Sequence, residues 1–202
     1  MSELLSLGAQ RPRPPKPEDV AFKFSQRAID ELEELKTHYP TLKACILPAL
    51  WIAQREYGGF LSGEAIAEVA VRLKRSYAEI EGVATFYTMY NTAHKPGKHK
   101  IEVCTCIACQ VCGAYRLYEY LQKKLGITHG ETTEDGMFTL EEVECLDACD
   151  RAPVLQIGDQ YHGPVDEQKM DSLLDMLRKK QESTVIQLAD EIVKAQISGK
   201  EK

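Results

Sequence analysis

The sequence of 202 residues lacks any run of about eighteen consecutive apolar residues, the length a membrane-crossing helix requires, so no transmembrane span is expected. It also lacks a positive excess. Its 25 Lys and Arg face 31 Asp and Glu, a formal charge of -6, which removes the general electrostatic reason to expect nucleic acid or an anionic membrane as partner. None of the 13 glycines falls in a G-x-G-x-x-G or Walker A loop, so the chain shows no fingerprint for a nucleotide or flavin of its own. The five histidines (His38, His94, His99, His129 and His162) have no ligand spacing, and no internal repeat is visible. The first ten residues, MSELLSLGAQ, have no early basic residue and too short an apolar run for a secretory signal, and they lack the Arg-rich character of a transit peptide. A reducing compartment is therefore expected.

What is present is enough to fold. With 44% apolar and 28% charged residues, the composition fits one or two globular domains with a real core. Residues 1–20 read as a basic, Pro-rich tail, because Pro12, Pro14, Pro15 and Pro17 alternate with Arg11, Arg13 and Lys16. Residues 21–95 read as a small helical bundle. Ser25 is placed to cap a helix carrying Ile29, Leu32 and Leu35. A second runs from about Thr41 to Gly58-Gly59 with Pro48 as an irregularity, and a third starts at Ser62 with Ile66, Val69, Ala70 and Leu73 on one face. Ser76-x-x-Glu79 forms a capping box for a short fourth helix closed by Gly82.

Beyond Pro96-Gly97 the periodicity changes. Ile101, Val103 and Cys104 read as a strand, 113–125 as a helix ending at Gly126, and Phe138 to Glu144 as a second strand. Val154 to Ile157 and Gln160 to His162 flank a Gly158-Asp159 hairpin turn, and a helix from near Asp166 carries Met170, Leu173, Leu174 and Leu177. This predicts an α+β layer architecture over 96–180, resembling thioredoxin. Residues 181–202 read as a detached amphipathic extension, with Val185, Leu188, Ala189 and Ile192 along one side, able to dock on a partner or to fray. Trp51 and Tyr57 read as core, and Phe86, Tyr87 and Tyr90 as core or interface.

Six of the seven cysteines lie between Cys104 and Cys149, and only Cys45 lies outside. Cys104-x4-Cys109 and Cys145-x3-Cys149 each follow an expected strand, so two loops leaving one end of a sheet could bring four thiolates together. Such a set suits Zn or an iron-sulfur cluster, and the count does not choose between them. Cys106 and Cys112 multiply the assignments. Cys104, Cys109 and Cys112 with a distant cysteine reproduce plant-type ferredoxin spacing, Cys106-x2-Cys109 or Cys109-x2-Cys112 resembles a dithiol redox pair, and Cys106, Cys109, Cys145 and Cys149 could form a structural Zn site. The reading preferred for Cys106 and Cys112 is that of small thiols without a ligand role. From Glu131 to Asp150 there are eight carboxylates and no Lys or Arg, a setting that disfavours an added electron and points to a low potential for any cluster held there.

The stretches GVATFYTMYN (82–91), IEVCT (101–105) and GETTEDGMFTLEEVECLDACDRAPVLQIGDQYHG (130–163), with the four-cysteine spacing, resemble the NuoE family, the small [2Fe-2S] subunit of the NADH dehydrogenase module of respiratory complex I. The likeness runs from about Phe22 to Lys180. It implies a helical bundle followed by a thioredoxin-like domain, with a [2Fe-2S] cluster held by Cys104, Cys109, Cys145 and Cys149 and no catalytic acid-base residue. It implies an electron-transfer subunit of an NADH:quinone oxidoreductase, with FMN and NADH on a partner flavoprotein subunit and a larger iron-sulfur subunit as second partner. A position in the peripheral arm on the cytoplasmic face of the bacterial inner membrane, without membrane insertion, goes with that role. The same module serves soluble NAD-linked formate dehydrogenases and bifurcating hydrogenases. Two departures stand out: many members have Pro where Ala108 stands, and Gly where Asp147 stands.

Overall fold

The computed structural model describes residues 14–16, 18 and 20–199. Most of the expected Pro-rich tail lies outside the described residues. Four helices come first: α1 (Gln26–His38), α2 (Ile46–Glu56), α3 (Gly63–Leu73) and α4 (Tyr77–Phe86). Serine starts three of them. Ser25, Ser62 and Ser76 each accept a hydrogen bond from the backbone N–H three residues on, which satisfies a donor that the first turn leaves unpaired.

Three details differ from the sequence reading. Residues 41–45 form turns, and α2 begins at Ile46, which puts Pro48 in the first helical turn, where its missing N–H costs nothing. Gly82 does not close α4, which continues to Phe86. A glycine weakens a helix by about 1 kcal/mol but does not end one whose Ile80 and Ala84 are buried in the core. The capping box is half-made: Ser76 accepts from the Glu79 N–H, while the Glu79 carboxylate is held by both Nε and Nη2 of Arg75 at 2.7 Å.

The second half contains β1 (His99–Cys104), α5 (Ile107–Val111), α6 (Ala114–Leu125), β2 (Phe138–Val143), β3 (Leu155–Ile157), β4 (Gln160–His162) and α7 (Glu167–Lys179). The sheet order is β2-β1-β3-β4, with β1 and β2 parallel and the other pairs antiparallel. A parallel pair needs a crossover, and the α5–α6 segment supplies it. Leu117, Tyr118 and Leu121 of α6 and Met170, Leu174 and Leu177 of α7 share one buried cluster with Ile101, Val103, Leu140 and Leu155 of the sheet. These are the residues whose helical and alternating periods are visible in the sequence.

The final helix, α8 (Thr184–Ser198), is not a detached extension. Its Ala189 and Val193 belong to the core of the helical layer, together with Leu32, Leu50, Ile52 and Ala53. Covering α2 on this side leaves that helix buried all round, as its nearly continuous apolar sequence demands. The start of α8 is fastened to the sheet: the Thr184 N–H and the Ser183 hydroxyl both donate to the Lys98 carbonyl, at 3.1 and 2.9 Å. Among the described residues, no helix is long and apolar enough to cross a membrane.

Candidate metal centre

Strands β1 and β2 run side by side in the same direction and end together, Cys104 opposite Val143. The loops that follow therefore leave the same end of the sheet. The first turns at Thr105, whose N–H donates to the Val143 carbonyl at 2.9 Å and whose hydroxyl donates to Glu142 at 2.9 Å. Cys106 then precedes α5, and Cys109 sits within it. Gln110 closes the turn by donating its side-chain amide to the Thr105 carbonyl at 2.9 Å. The second loop carries Cys145, passes Asp147 in the left-handed region at φ 54, and enters a 3-10 turn at Cys149.

The two loops bring five sulfurs together. The Sγ atoms of Cys104, Cys106 and Cys109 all lie within 4.8 Å of one another, and so do those of Cys106, Cys145 and Cys149. The four cysteines expected as a set are thus divided between two groups, and Cys106 is common to both. The sequence reading sets Cys106 aside as a small thiol without a ligand role, and the fold places its sulfur beside both groups. Its signal was the Cys106-x2-Cys109 spacing, which overlaps the longer Cys104-x4-Cys109 spacing and is masked by it. Cys112 belongs to neither group and is exposed.

The site has one closed side and one open side. Cys104 and Cys109 are buried against Ala114, Ala148 and Val154, while Cys145 and Cys149 are exposed. The Cys104 thiol donates to the Glu144 carbonyl at 3.2 Å and lies 3.6 Å from the Cys106 sulfur. The thiols differ in acidity for local reasons. The backbone amide of Cys109, then the Cys104 thiol, hold Cys106 down to about 7, whereas burial pushes Cys109 up to about 12. Loss of partial solvation, then the Cys106 and Cys145 thiols, raise Cys149. A buried thiol of that kind ionises when a metal binds it, and donor groups made only of sulfur suit Zn or an iron-sulfur cluster. The residues present fit either.

Several carboxylates of the acidic stretch are engaged with local partners. Glu131 accepts from the Thr128 N–H, Asp135 from Thr133 and the Met137 N–H, and Glu141 lies 3.6 Å from both His94 and His129. Glu144, Asp147 and Asp150 remain in the second loop beside the cysteines, Asp150 with Arg151 at 3.7 Å. Among the aromatics, Trp51 and Tyr90 pack together in the helical core with ring centroids 5.2 Å apart, and Phe86 points outward.

A family model described as thioredoxin-like [2Fe-2S] ferredoxin matches residues 32–178. An E subunit of the NADH-quinone oxidoreductase of Rhizobium meliloti (strain 1021), the one numbered 2, is 41% identical over 160 residues, which is 79% of this chain and 94% of the relative. The E subunit of the NADH-quinone oxidoreductase of Rickettsia felis is 43% identical over 156 residues, 76% of this chain and 93% of the relative. Among solved structures, an NAD+-reducing [NiFe]-hydrogenase in the air-oxidised state superposes with a TM-score of 0.56 at 22% identity, over 65% of this chain and only 23% of the hydrogenase chain, a likeness of fold alone. The α+β fold, the paired cysteine loops and the sequence relatives agree, and the chain belongs to the thioredoxin-like [2Fe-2S] ferredoxin family, together with the E subunits of NADH-quinone oxidoreductases.

Proposed function

We propose that this protein is the electron-transfer subunit of an NADH:quinone oxidoreductase, with Cys104, Cys109, Cys145 and Cys149 as the protein ligands of its [2Fe-2S] cluster. The observation that carries the reading is the convergence of both cysteine loops at the common end of β1 and β2. When bound, the cluster supplies one-electron chemistry, and the protein contributes position and electrostatic setting. Cys104 and Cys109 anchor the site in the apolar cluster, and Cys145 and Cys149 present it to the outside.

The electron donor in this reading is FMN on a partner flavoprotein subunit that also binds NADH, and a larger iron-sulfur subunit is the second partner. The surface beside the first loop supports docking of such a partner. Ile107 and Val111 of α5 are 79% and 84% exposed, on either side of the buried Cys109 in sequence, and Tyr115 in the first turn of α6 is exposed as well. Isolated exposed apolar residues are ordinary, but three on adjoining turns at a redox site fit an interface. In this role the protein sits in the peripheral arm at the cytoplasmic face of the membrane and inserts no helix of its own.

The test is the iron, acid-labile sulfide and zinc content of anaerobically purified protein, with electron paramagnetic resonance spectra before and after dithionite. Iron and sulfide in the [2Fe-2S] ratio, with a signal appearing only on reduction, are the expected result. One zinc per chain with no sulfide and no signal would overturn the reading in favour of a structural Zn module.

A further inference from the structure

Five sulfurs meet at a site whose cluster takes four, so one is in excess. Sequence spacing makes Cys106 the odd one out, but the geometry does not. The only first-loop sulfur in the group that contains both Cys145 and Cys149 is that of Cys106. Cys106 is also within reach of the first-loop pair, with its sulfur 3.6 Å from that of Cys104. An iron that already receives two bonds from the cluster's sulfides has room for only one of these two sulfurs beside Cys109. Their surroundings differ as well. Cys104 is fixed as the last residue of β1 and buried, whereas Cys106 lies in the turn before α5 and is half-buried.

We propose that Cys106 is an alternative ligand that competes with Cys104 for a single coordination position, so that Cys106, Cys109, Cys145 and Cys149 form a second competent ligand set. In the exchange, the incoming thiol gives up its proton as its sulfur binds the iron and the departing thiolate takes one up, so the step is proton-neutral and consumes neither oxidant nor reductant. The strand-end position of Cys104 makes it the rigid choice and the turn position of Cys106 the adaptable one. The site thereby tolerates loss or modification of Cys104, which a four-cysteine site does not.

The inference rests on the cluster reading above, and the experiment separates the two. Full-length protein and the variants C106A, C104S and C104S/C106A are purified anaerobically and compared for iron, sulfide and the spectrum of the reduced state. Wild-type protein without iron and sulfide would overturn both readings. With a cluster-bearing wild type, C104S is expected to keep most of its iron and sulfide with shifted g values, and C104S/C106A to fall by more than about tenfold. Equal depletion of C104S and the double variant would overturn the alternative ligand set alone. Should circular dichroism show C104S unfolded, C106A decides, because half-buried Cys106 can lose its sulfur without disturbing the core. A reduced-state spectrum altered from the wild type supports competition, and an identical one overturns it.

Discussion

The guanidinium of Arg55 lies 3.0 Å from the carboxylate of Asp190, joining the second helix to the last across 135 residues of sequence. Arg55 is nearly buried and also reaches Glu31 at 2.5 Å and Glu56 at 3.0 Å, and Arg27 approaches Asp190 at 2.7 Å. Removing the central cation takes away the guanidinium that Glu31, Glu56 and Asp190 share, and leaves Arg27 to bridge Glu31 and Asp190 alone. Arg55→Ala is expected to cost about 3–5 kcal/mol in urea denaturation, and Asp190→Asn only about 1 kcal/mol, because Glu31 and Glu56 still flank Arg55. Equal costs for the two would show that the network does not depend on its centre.

Gly163 fixes the outer end of the second cysteine loop. A Cβ built there would meet the Arg151 carbonyl oxygen at 2.2 Å, a backbone atom with nowhere to go. Gly163→Ala is therefore expected to displace residues 149–151 and to cost about 1–3 kcal/mol, with faster iron release to a chelator than in the wild type. Unchanged release and unchanged stability would mean that the loop absorbs the methyl group.

Asp147 holds a left-handed backbone, φ 54, inside the same loop. Replacing it with glycine relieves the conformation and removes a negative charge near the sulfurs. Asp147→Gly is expected to gain about 1 kcal/mol in stability and to raise the cluster's reduction potential in a redox titration. Asp147→Asn separates the effects: the potential should rise and the stability should stay near the wild type, since asparagine tolerates this region as aspartate does.

Stability should respond to pH in two separate windows. Burial, with the Lys98 and Lys180 charges nearby, holds the His99 imidazole below its ordinary value of 6.5. The unfolded chain therefore takes up this proton before the native state does, and stability declines as pH falls below about 6.5. In urea denaturation His99→Gln should flatten that slope. Burial opposes ionisation of Asp190 and Glu56, but hydrogen bonds from Lys194 and Arg27 to the first, and from the Ser25 amide and Arg55 to the second, outweigh it and hold both carboxyls low. Their contribution is present above the ordinary carboxylate range and is lost only as pH falls below it, at about pH 4 and under.

Much of this molecule is legible in its sequence where a local rule decides. The serine caps, the two helices packed on the sheet and the Gly158-Asp159 turn each depend on neighbours within a few residues. The docking of α8 does not. The period of Val185, Ala189 and Val193 reveals an apolar face without saying which surface covers it, and its partner α2 lies more than a hundred residues away. The closeness of Cys106 to both sulfur groups is hidden for a different reason, since overlapping spacings in one loop are ranked only by where the backbone turns. A linear count of the acidic stretch also says nothing of which carboxylates are engaged, as Glu131 is by the Thr128 N–H and Asp135 by Thr133.

The helical core begun at Phe24 is finished by residues 165 and 169 positions later, Ala189 and Val193. A nascent polypeptide leaving the ribosome therefore completes every strand of the sheet before its first four helices can close. During that interval the face of α2 that α8 will cover stays uncovered, an apolar surface of the kind chaperones bind. Synthesis of the helical half comes first, and its burial comes last.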